Sequence, residues 1–526
     1  MRKILIYPIL LAIYFLNAAH IGSPNIVFEG SAGEYPVLVS ILPPEVVPGT
    51  AQVSVRVMDK EAREVFLQAV YYRYGDEKAP SADPTEKVPG DDELFTGQLW
   101  LMSHGSASVK IIVEGNKGTG STVIPVPALA SAQLEMESEL EILLIILGAI
   151  LFIGGATIVG ASAGEGMLKP GEKLTSKKRV KSILIGCLAA LLLGGTIYFG
   201  AGWWNSEENK YQRYMYQPVG INTEITAIDH KNKLTIHLDD KGHWDRKAGD
   251  LVPDHGKLMH LFLINQDEGK SFAHLHPLKV DSVTYDVVLP DLPAGNYHAF
   301  ADIVHLSGLS ETLVSEFEIQ GEPQNAGIGL VTEMKENELP IDADDTWYEY
   351  SKPKGQVQIL DNGIKVKWEN SIDKKFKVDQ IESLKFSFER ENGMPVVLEP
   401  YLGMLGHSVV FKQDASVFIH LHPIGTISMA AQEAIAGKVG DEVSLCLTLD
   451  STNYDVRSLG LLDQNQVTTM RDDILKLMNE KGLSNKVSFP YAFPKAGDYR
   501  IWVQVKIDGE ILTAGFDVKV EEKEAG

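Results

Sequence analysis

Cysteine is scarce in this chain, because its 526 residues include only Cys187 and Cys446. Cys187 lies in a long apolar segment and Cys446 lies in a more polar region far along the sequence, so the two are not expected to pair. A framework of disulfides is therefore excluded as the source of stability.

Basic residues are also in the minority. The chain has 48 Lys and Arg against 71 Asp and Glu, which gives a formal net charge of −23. An acidic chain repels phosphate backbones and anionic headgroups, so nucleic acid is not expected as a partner. The same charge is compatible with the binding of cations.

Recognisable catalytic motifs are absent from the sequence. It has no nucleophile elbow, Walker loop, dinucleotide-binding fingerprint, haem-attachment CxxCH or HExxH. An enzyme is therefore the less favoured class, and a metalloenzyme is kept as an alternative.

The first residues have the layout of a secretory signal peptide. Arg2 and Lys3 precede an apolar run over residues 4–16, and small residues follow as far as Ala19. We expect a signal peptide over residues 1–19, cleaved after Ala19. An uncleaved anchor is the alternative, but the apolar run is short for a bilayer span.

Two later segments, residues 140–164 and 182–204, are apolar and long enough to cross a bilayer. The loop between them, residues 165–181, is rich in Lys and Arg and is expected in the cytoplasm by the positive-inside rule. These features predict a multi-pass protein of the cell (inner) membrane that contacts the lipid bilayer through two transmembrane helices. Its large domains then lie on the extracytoplasmic, or periplasmic, side.

The rest of the sequence consists of short apolar runs separated by turn residues, which is typical of β-sandwiches. The predicted fold class is mostly β, with three small immunoglobulin- or cupredoxin-like β-sandwiches plus a two-helix transmembrane hairpin. The third sandwich carries an insertion with helical stretches near residues 428–436 and 469–481. The predicted segments are an N-terminal sandwich over 20–135, a second over 219–320, a linker over 321–344 and a third over 345–521.

The second and third sandwiches have the features of a diverged duplication. GKLMHLFLINQDEGKSFAHLHP (256–277) is echoed by YLGMLGHSVVFKQDASVFIHLHP (401–423). LPAGNY (292–297) and FPKAGDY (493–499) both place a tyrosine at the start of a late strand, as in the tyrosine corner of immunoglobulin-like sandwiches.

Six of the fourteen histidines occupy matching positions in these repeats: His260, His274, His276, His407, His420 and His422. Residues two apart on a strand point to the same face, so each HxH pair presents two imidazoles side by side. A three-residue turn at 266–268 would place His260 opposite His274, and a two-residue turn at 413–414 would place His407 opposite His420. We therefore predict one three-histidine face in each sandwich.

Three imidazoles on one face suit a borderline metal ion. Without thiolate ligands the predicted ion is copper or zinc, as Cu(II) or Zn(II). Met259 and Met404 would suit Cu(I). Their strand positions, however, place them on the opposite face from the nearest histidines, which favours a place in the core. The alternative is that the histidines are hydrogen-bonded structural residues that a duplication copied.

Further histidines make the two repeats unequal. The first repeat has His255, His298 and His305 where the second has Leu402, Arg500 and Ile507. The first face is therefore the better candidate if only one binds metal, and Asp254 could orient His255. His20 is a separate candidate, because cleavage after Ala19 would place its imidazole beside a free amine.

These motifs resemble a group of bacterial membrane-anchored exported proteins with YtkA-like and CopC-like domains. The resemblance rests on KLMHLFL with FAHLHP, on GHSVVF with FIHLHPIGTISMAAQ, and on LPAGNYHAFADIVH with FPKAGDYRIWVQV. It implies a cupredoxin- or immunoglobulin-like fold and a role in copper handling.

The leading hypothesis is a non-enzymatic, membrane-anchored extracytoplasmic protein that binds metal, most plausibly copper, in sensing, storage or delivery. The alternative is an exported sandwich module with structural histidines that binds a protein partner in the cell envelope. A metalloenzyme with an open coordination position is the third hypothesis.

Overall fold

The computed structural model describes residues 25–166, 168, 171–228, 231–239, 246–267, 269–320, 341–350, 355–360, 362–370, 374–439 and 485–523. The chain divides into two compact units, one formed by residues up to 128 and from 218 onward, and the other by residues 129–217. The predicted signal peptide, His20 and the helical stretch at 469–481 lie outside the described residues, as does most of the predicted linker.

The N-terminal sandwich contains nine strands. One sheet has the order β1-β2-β3-β7-β6 and the other β5-β4-β8-β9. Buried and more exposed residues alternate along β3, as expected for a strand with one face on a core. The strands are β1 Ile26–Ala32, β2 Tyr35–Leu42, β3 Gly49–Val57, β4 Ala62–Tyr71, β5 Asp83–Pro84, β6 Glu86–Val88, β7 Asp91–Leu101, β8 Gly105–Gly115 and β9 Gly118–Ala128.

The second unit is a hairpin of two long helices, α1 (Ser138–Glu165) and α2 (Ser176–Tyr214). Both are long and apolar enough to cross a membrane. The helices approach closely at small residues, since a Cβ added to Gly160 would lie 3.1 Å from the Cα of Gly186. The predicted two-helix hairpin is confirmed, and α2 continues beyond residue 204 in a polar stretch.

The second sandwich places β10-β11-β16-β15 in one sheet and β12-β17-β13-β14-β19 in the other, with β18 also paired to β17. β19, which follows the predicted linker, pairs with β14 and so completes this sandwich. The strands are β10 Ile221–Ile228, β11 Lys231–Leu238, β12 Leu251–Val252, β13 His260–Asn265, β14 Ser271–Leu275, β15 Leu278–Lys279, β16 Thr284–Val288, β17 Gly295–His305, β18 Ser310–Ile319 and β19 Thr346–Glu349.

The third sandwich repeats this plan. Its sheets have the orders β20-β21-β23-β26 and β22-β28-β27-β24-β25. A helix, α3, follows β25 where the first helical stretch of the insertion was predicted. The elements are β20 Val357–Ile359, β21 Ile364–Trp368, β22 Phe376–Lys377, β23 Ile381–Arg390, β24 His407–Lys412, β25 Phe418–Leu421, α3 Met429–Val439, β26 Lys486–Ala492, β27 Gly497–Ile507 and β28 Glu510–Glu521.

Two tyrosines confirm the relationship between these sandwiches. The hydroxyl of Tyr297 donates to the carbonyl of Pro293 at 2.8 Å, and the hydroxyl of Tyr499 donates to the carbonyl of Lys495 at 2.7 Å. Each tyrosine thus bonds to the backbone four residues upstream, at the start of β17 or β27. The tyrosine-corner interpretation and the mostly β fold with sandwich domains are therefore confirmed.

The second and third sandwiches pack against each other through an aromatic layer. Phe300 on β17 stacks on Phe418 on β25 with ring centroids 4.1 Å apart. Phe272 on β14 stacks on Trp502 on β27 at 4.6 Å. Arg500 also crosses the interface, where its Nη1 donates to the carbonyl of Gly269 at 3.0 Å. The two repeats are consequently joined face to face through one sheet of each.

The N-terminal sandwich contacts the segment that follows the second HLHP motif. The amide of Glu29 donates to the carbonyl of Ile424 at 2.8 Å, and the amide of Thr426 donates to the carbonyl of Val27 at 3.0 Å. Gly425 lies between them with φ +124°, and a Cβ there would lie 1.9 Å from the carbonyl oxygen of Val27. Only glycine fits at this junction.

We predict that Phe300→Ala lowers the free energy of unfolding by about 3–5 kcal/mol, because it leaves a cavity beneath the stacked Phe418. Denaturant titration of the full chain in detergent measures this change. Trp100→Ala is the control, since Trp100 is 58% exposed and its loss should change stability by less than about 0.5 kcal/mol. Equal effects of the two substitutions would contradict the role of the aromatic layer.

Candidate metal centre

Four of the six main predicted histidines lie on strands that bury both of their faces, and His276 and His422 directly follow two of these strands. On β13, Leu261 and Leu263 point into the core of the second sandwich, whereas Phe262 belongs to the aromatic layer shared with the third. His260 has the same strand parity as Phe262 and therefore points toward the third sandwich. In the same way, Phe272 and His274 point to one face of β14, and Val409 and His407 point to one face of β24.

The predicted hairpin register is wrong by two residues in both repeats. His274 lies opposite Phe262, and His420 lies opposite Val409. The connections are longer than predicted because residues with positive φ shape them, Gly269 in the first and Ala415 in the second. A shift of two preserves strand parity, so the three histidines of each repeat still share one face.

A pair of matching turns brings in a seventh histidine. Asp254 and Lys257 exchange backbone hydrogen bonds of 2.9 and 3.0 Å around His255, and Tyr401 and Met404 do the same around Leu402. His255 and Leu402 both have positive φ, at 53° and 48°. The sequence-based match of His255 with Leu402 is therefore confirmed, and His255 is held against the other histidines.

The structure brings the two predicted faces together as one cluster. The two faces were predicted as separate sites, one in each sandwich; that separation is wrong, because the sandwiches pack with these faces opposed. Neighbouring imidazole centroids lie between 4.6 and 6.3 Å apart. The histidine cluster consists of His255, His260, His274, His276, His407, His420 and His422. None of these seven residues is more than 6% exposed.

Two triads within this cluster have nitrogens close enough to hold a metal ion. In triad A (His260, His274 and His276) one nitrogen from each ring lies within 4.8 Å of the others. Triad B (His255, His407 and His422) meets the same limit. Triad A comes entirely from the second sandwich, whereas triad B combines both sandwiches.

Hydrogen bonds fix the orientation of each ring in triad A. The Nε2 of His260 donates to the carbonyl of Asp254 at 3.1 Å. The Nδ1 of His274 donates to Oε1 of Gln504 at 2.9 Å, and the Nδ1 of His276 donates to Oδ1 of Asp345 at 2.9 Å. Each acceptor takes one ring N–H, so in the neutral ring the opposite nitrogen carries a lone pair.

Two of these lone pairs point at each other. The Nδ1 of His260 and the Nε2 of His274 are 3.1 Å apart, and the Nε2 of His276 is buried without a hydrogen-bond partner among the described residues. Lone pairs at this distance repel unless a proton or a metal ion lies between them. Imidazoles that bind metal characteristically donate their other N–H to a carbonyl or carboxylate, as His260 and His276 do here.

Fewer hydrogen bonds orient the rings of triad B than those of triad A. The Nδ1 of His422 donates to the carbonyl of Ile427 at 2.9 Å, which leaves its Nε2 free. Neither ring nitrogen of His255 or His407 has a hydrogen-bond partner within the described ranges. His420 completes the cluster, with its Nδ1 3.5 Å from Oδ2 of Asp302 and its Nε2 without a partner.

A third group, His276 with Asp342 and Asp345, also has ligand atoms within 4.8 Å of one another. The ammonium of Lys257 already lies 2.7 Å from Oδ2 of Asp342. A resident cation next to these carboxylates opposes a second one. Asp345 instead receives both the backbone N–H and the Nδ1–H of His276, which makes it the residue that orients this ring.

Other candidate ligands lie outside the histidine cluster. The Nε2 of His305 is 2.7 Å from Oε2 of Glu311, and Arg246 lies 2.9 Å from the same carboxylate, so these residues form a buried ion-pair network. His298 contacts Glu316 at 3.0 Å. Met259 is fully buried in the core of the second sandwich, in agreement with its strand parity.

Burial lowers the pKa of six clustered histidines, and the charge of neighbouring imidazoles lowers most of these pKa values further. The six are His255, His260, His274, His407, His420 and His422. The pKa falls well below the ordinary value for His260, His274, His407 and His420, and it falls to about 4 for His422. These six rings are therefore neutral at neutral pH, which is the protonation state that binds metal.

Sequence reasoning missed that the two faces oppose each other, together with the orienting residues Gln504, Tyr401 and Asp345. One signal was present in the sequence. In KLMHLFLI, apolar residues occupy positions on both faces of the strand, as expected for a strand buried on both faces. The hydroxyl of Tyr401 donates to the carbonyl of Asp344 and lies 3.3 Å from Nδ1 of His274, which gives that nitrogen a second acceptor.

Residues 217–321, 358–452 and 467–522 match DUF8832, a domain of unknown function. The chain therefore carries a DUF8832 domain, which includes all seven residues of the histidine cluster. No curated protein matches the sequence.

Several solved structures match this chain remotely. The dimeric latent PorU of Porphyromonas gingivalis has 6% identity and a TM-score of 0.14, with 96% of this chain and 34% of that chain covered. The BSP domain of a biofilm-associated protein has 8% identity and a TM-score of 0.13, with 97% and 68% covered. The ICAM-5 D1–D4 ectodomain fragment has 9% identity and a TM-score of 0.14, with 93% and 77% covered. The function therefore has to be inferred from the histidine geometry.

We predict that the metal-free protein loses stability as the pH falls from about 6.5, the ordinary histidine pKa. The folded pKa values lie below the unfolded ones, so the unfolded chain binds more protons in acid. The contribution of this pKa difference to the free energy of unfolding is thus fully present above that pH and is lost as the pH falls below it. Denaturant titrations between pH 8 and pH 5, with a chelator present, measure the slope.

The variant His422→Gln should reduce this pH dependence, because it removes one buried group that resists protonation. His237→Gln is the matched control, since His237 is exposed on β11. A stability that does not change across this range, or equal slopes for the two variants, would contradict neutral burial of the cluster.

Proposed function

We propose that this DUF8832-containing chain is a membrane-anchored extracytoplasmic protein that binds a copper or zinc ion at its histidine cluster. The role we infer is copper handling, by sensing, storage or delivery, without catalysis. The proposed ligands are His260, His274, His276, His407, His420 and His422, joined by His255.

The observation that carries the proposal is the number of buried imidazole nitrogens within the histidine cluster that lack a partner among the described residues. Each unsatisfied buried polar atom costs about 1–3 kcal/mol, so the set is comparable with the whole stability of a domain. Structural histidines would have their nitrogens hydrogen-bonded. A metal ion satisfies several of them at once. The atoms are Nδ1 and Nε2 of His255, Nε2 of His276, Nδ1 and Nε2 of His407, Nε2 of His420 and Nε2 of His422.

The spacing of triad A supports a borderline metal ion. Two metal–nitrogen bonds of about 2.0–2.1 Å span the 3.1 Å between His260 Nδ1 and His274 Nε2 at an angle of roughly 100°. Imidazole donors without thiolate suit copper and zinc. The resemblance to CopC-like sandwiches favours copper. Burial keeps the imidazoles of the cluster away from solvent, which favours storage or transfer over catalysis.

The proposed location follows from the sequence together with the helix hairpin. The apolar lengths of α1 and α2 support a bilayer anchor, and the basic loop at 165–181 favours a cytoplasmic position for the connection between them. The β-sandwiches are then extracytoplasmic, after removal of a signal peptide over residues 1–19. A protein of the cell envelope is a candidate partner for the transfer of metal.

We predict that the purified chain binds copper or zinc and that His274→Ala/His276→Ala removes the binding at triad A. His420→Ala/His422→Ala should weaken binding at triad B, because it removes His422 from that triad together with the neighbouring His420. Metal analysis after dialysis and calorimetric titration of the full chain in detergent measure both effects. The matched control is His104→Ala/His237→Ala, which removes two exposed histidines and should leave metal content unchanged.

Negligible copper and zinc binding by the wild type and by every variant would refute the function. Variants that lose folding stability but bind metal like the wild type would support the alternative of structural histidines.

A further inference from the structure

We propose that the histidine cluster is a paired centre that holds two copper or zinc ions, one on each triad, and that the ion on triad B joins the two repeats. This inference rests on the proposed metal-binding function and adds the number of ions and what the second one does.

Triad A and triad B share no residue, so both can be filled at once. Each contributes three imidazoles, which is the number of protein ligands that imidazole metal sites commonly use. The triads are adjacent, because the rings of His255 and His260 lie 6.3 Å apart. Two ions bound in this way form a pair within one buried cluster.

His420 belongs to neither triad and lies between them. Its ring centroid is 5.4 Å from that of His260 in triad A and 4.6 Å from that of His422 in triad B. The Nε2 of His420 is buried and has no hydrogen-bond partner in the described part of the chain. His420 is therefore a ring of the cluster that lies next to both triads.

Carboxylates beside the cluster offset the charge of the ions. Oδ1 of Asp254 accepts the N–H of Ala430 at 2.9 Å and lies 3.9 Å from Nε2 of His255, next to triad B. Asp345 is bound to His276 in triad A, and Asp302 lies 3.5 Å from His420. Each triad thus has an acidic neighbour, Asp345 for triad A and Asp254 for triad B, which lowers the cost of burying two cations.

The origin of the triad B ligands shows why its ion joins the repeats. His255 comes from the second sandwich, whereas His407 and His422 come from the third. Leu402 occupies the equivalent turn position in the third sandwich and has no ligand atom. A triad B site therefore requires both repeats, whereas triad A is formed within one.

The test is metal stoichiometry with substitutions that match in chemistry. His255→Asn removes a triad B ligand with a residue type that tolerates positive φ, and His276→Asn removes a triad A ligand. His237→Asn, on the exposed face of β11, is the control. Zinc content after equilibrium dialysis of the full chain should be two ions per chain for the wild type and the control, and one for each of the other variants.

Copper supplies a second, spectroscopic readout. Two Cu(II) ions in adjacent triads couple magnetically. The electron paramagnetic resonance signal of the doubly loaded wild type should therefore be weaker than that of two isolated Cu(II) ions. His255→Asn and His276→Asn should each give the full intensity of one ion. The near-ultraviolet circular dichroism of the metal-free variants shows whether each one folds. If His255→Asn does not fold, His407→Asn is used for the triad B test instead.

One ion per wild-type chain, or two ions bound by a folded His255→Asn variant, would overturn the paired centre and leave metal binding itself intact. No ion in the wild type would overturn the proposed function as well.

Discussion

The packing of one sheet from each repeat against the other determines where every part of the candidate centre lies. Strands β13, β14, β24 and β25 bury one face in their own sandwich and the other in the neighbouring repeat. A polar side chain on the shared face must find a partner there, because water cannot reach it. Aromatic rings fill one part of this interface, and imidazoles fill the other.

The orientation of triad A depends on groups from several segments. His260 is held by the backbone of Asp254, His276 by Asp345 ahead of β19, and His274 by Gln504 on β27 of the third sandwich. A site formed by residues of one repeat is therefore oriented in part by the other. We infer that metal binding and the docking of the two repeats stabilise each other.

The sequence was sufficient to predict the fold class and the helix hairpin, and that three histidines of each repeat share one face, because strand parity and apolar length are local properties. It was not sufficient to predict the register, since that depends on the positive φ angles at Gly269 and Ala415. The joining of two faces into one cluster was missed for another reason. Which surface packs on which depends on contacts such as Phe300 with Phe418, between residues more than a hundred positions apart.

The most direct test of the central claim is X-ray absorption spectroscopy of the copper- or zinc-loaded chain. If the metal is bound by the histidine cluster, its inner shell contains only nitrogen at about 2.0–2.1 Å, with the outer scattering of imidazole rings. A shell with sulfur at about 2.3 Å, or one made of oxygen without imidazole scattering, would place the metal elsewhere and contradict the account.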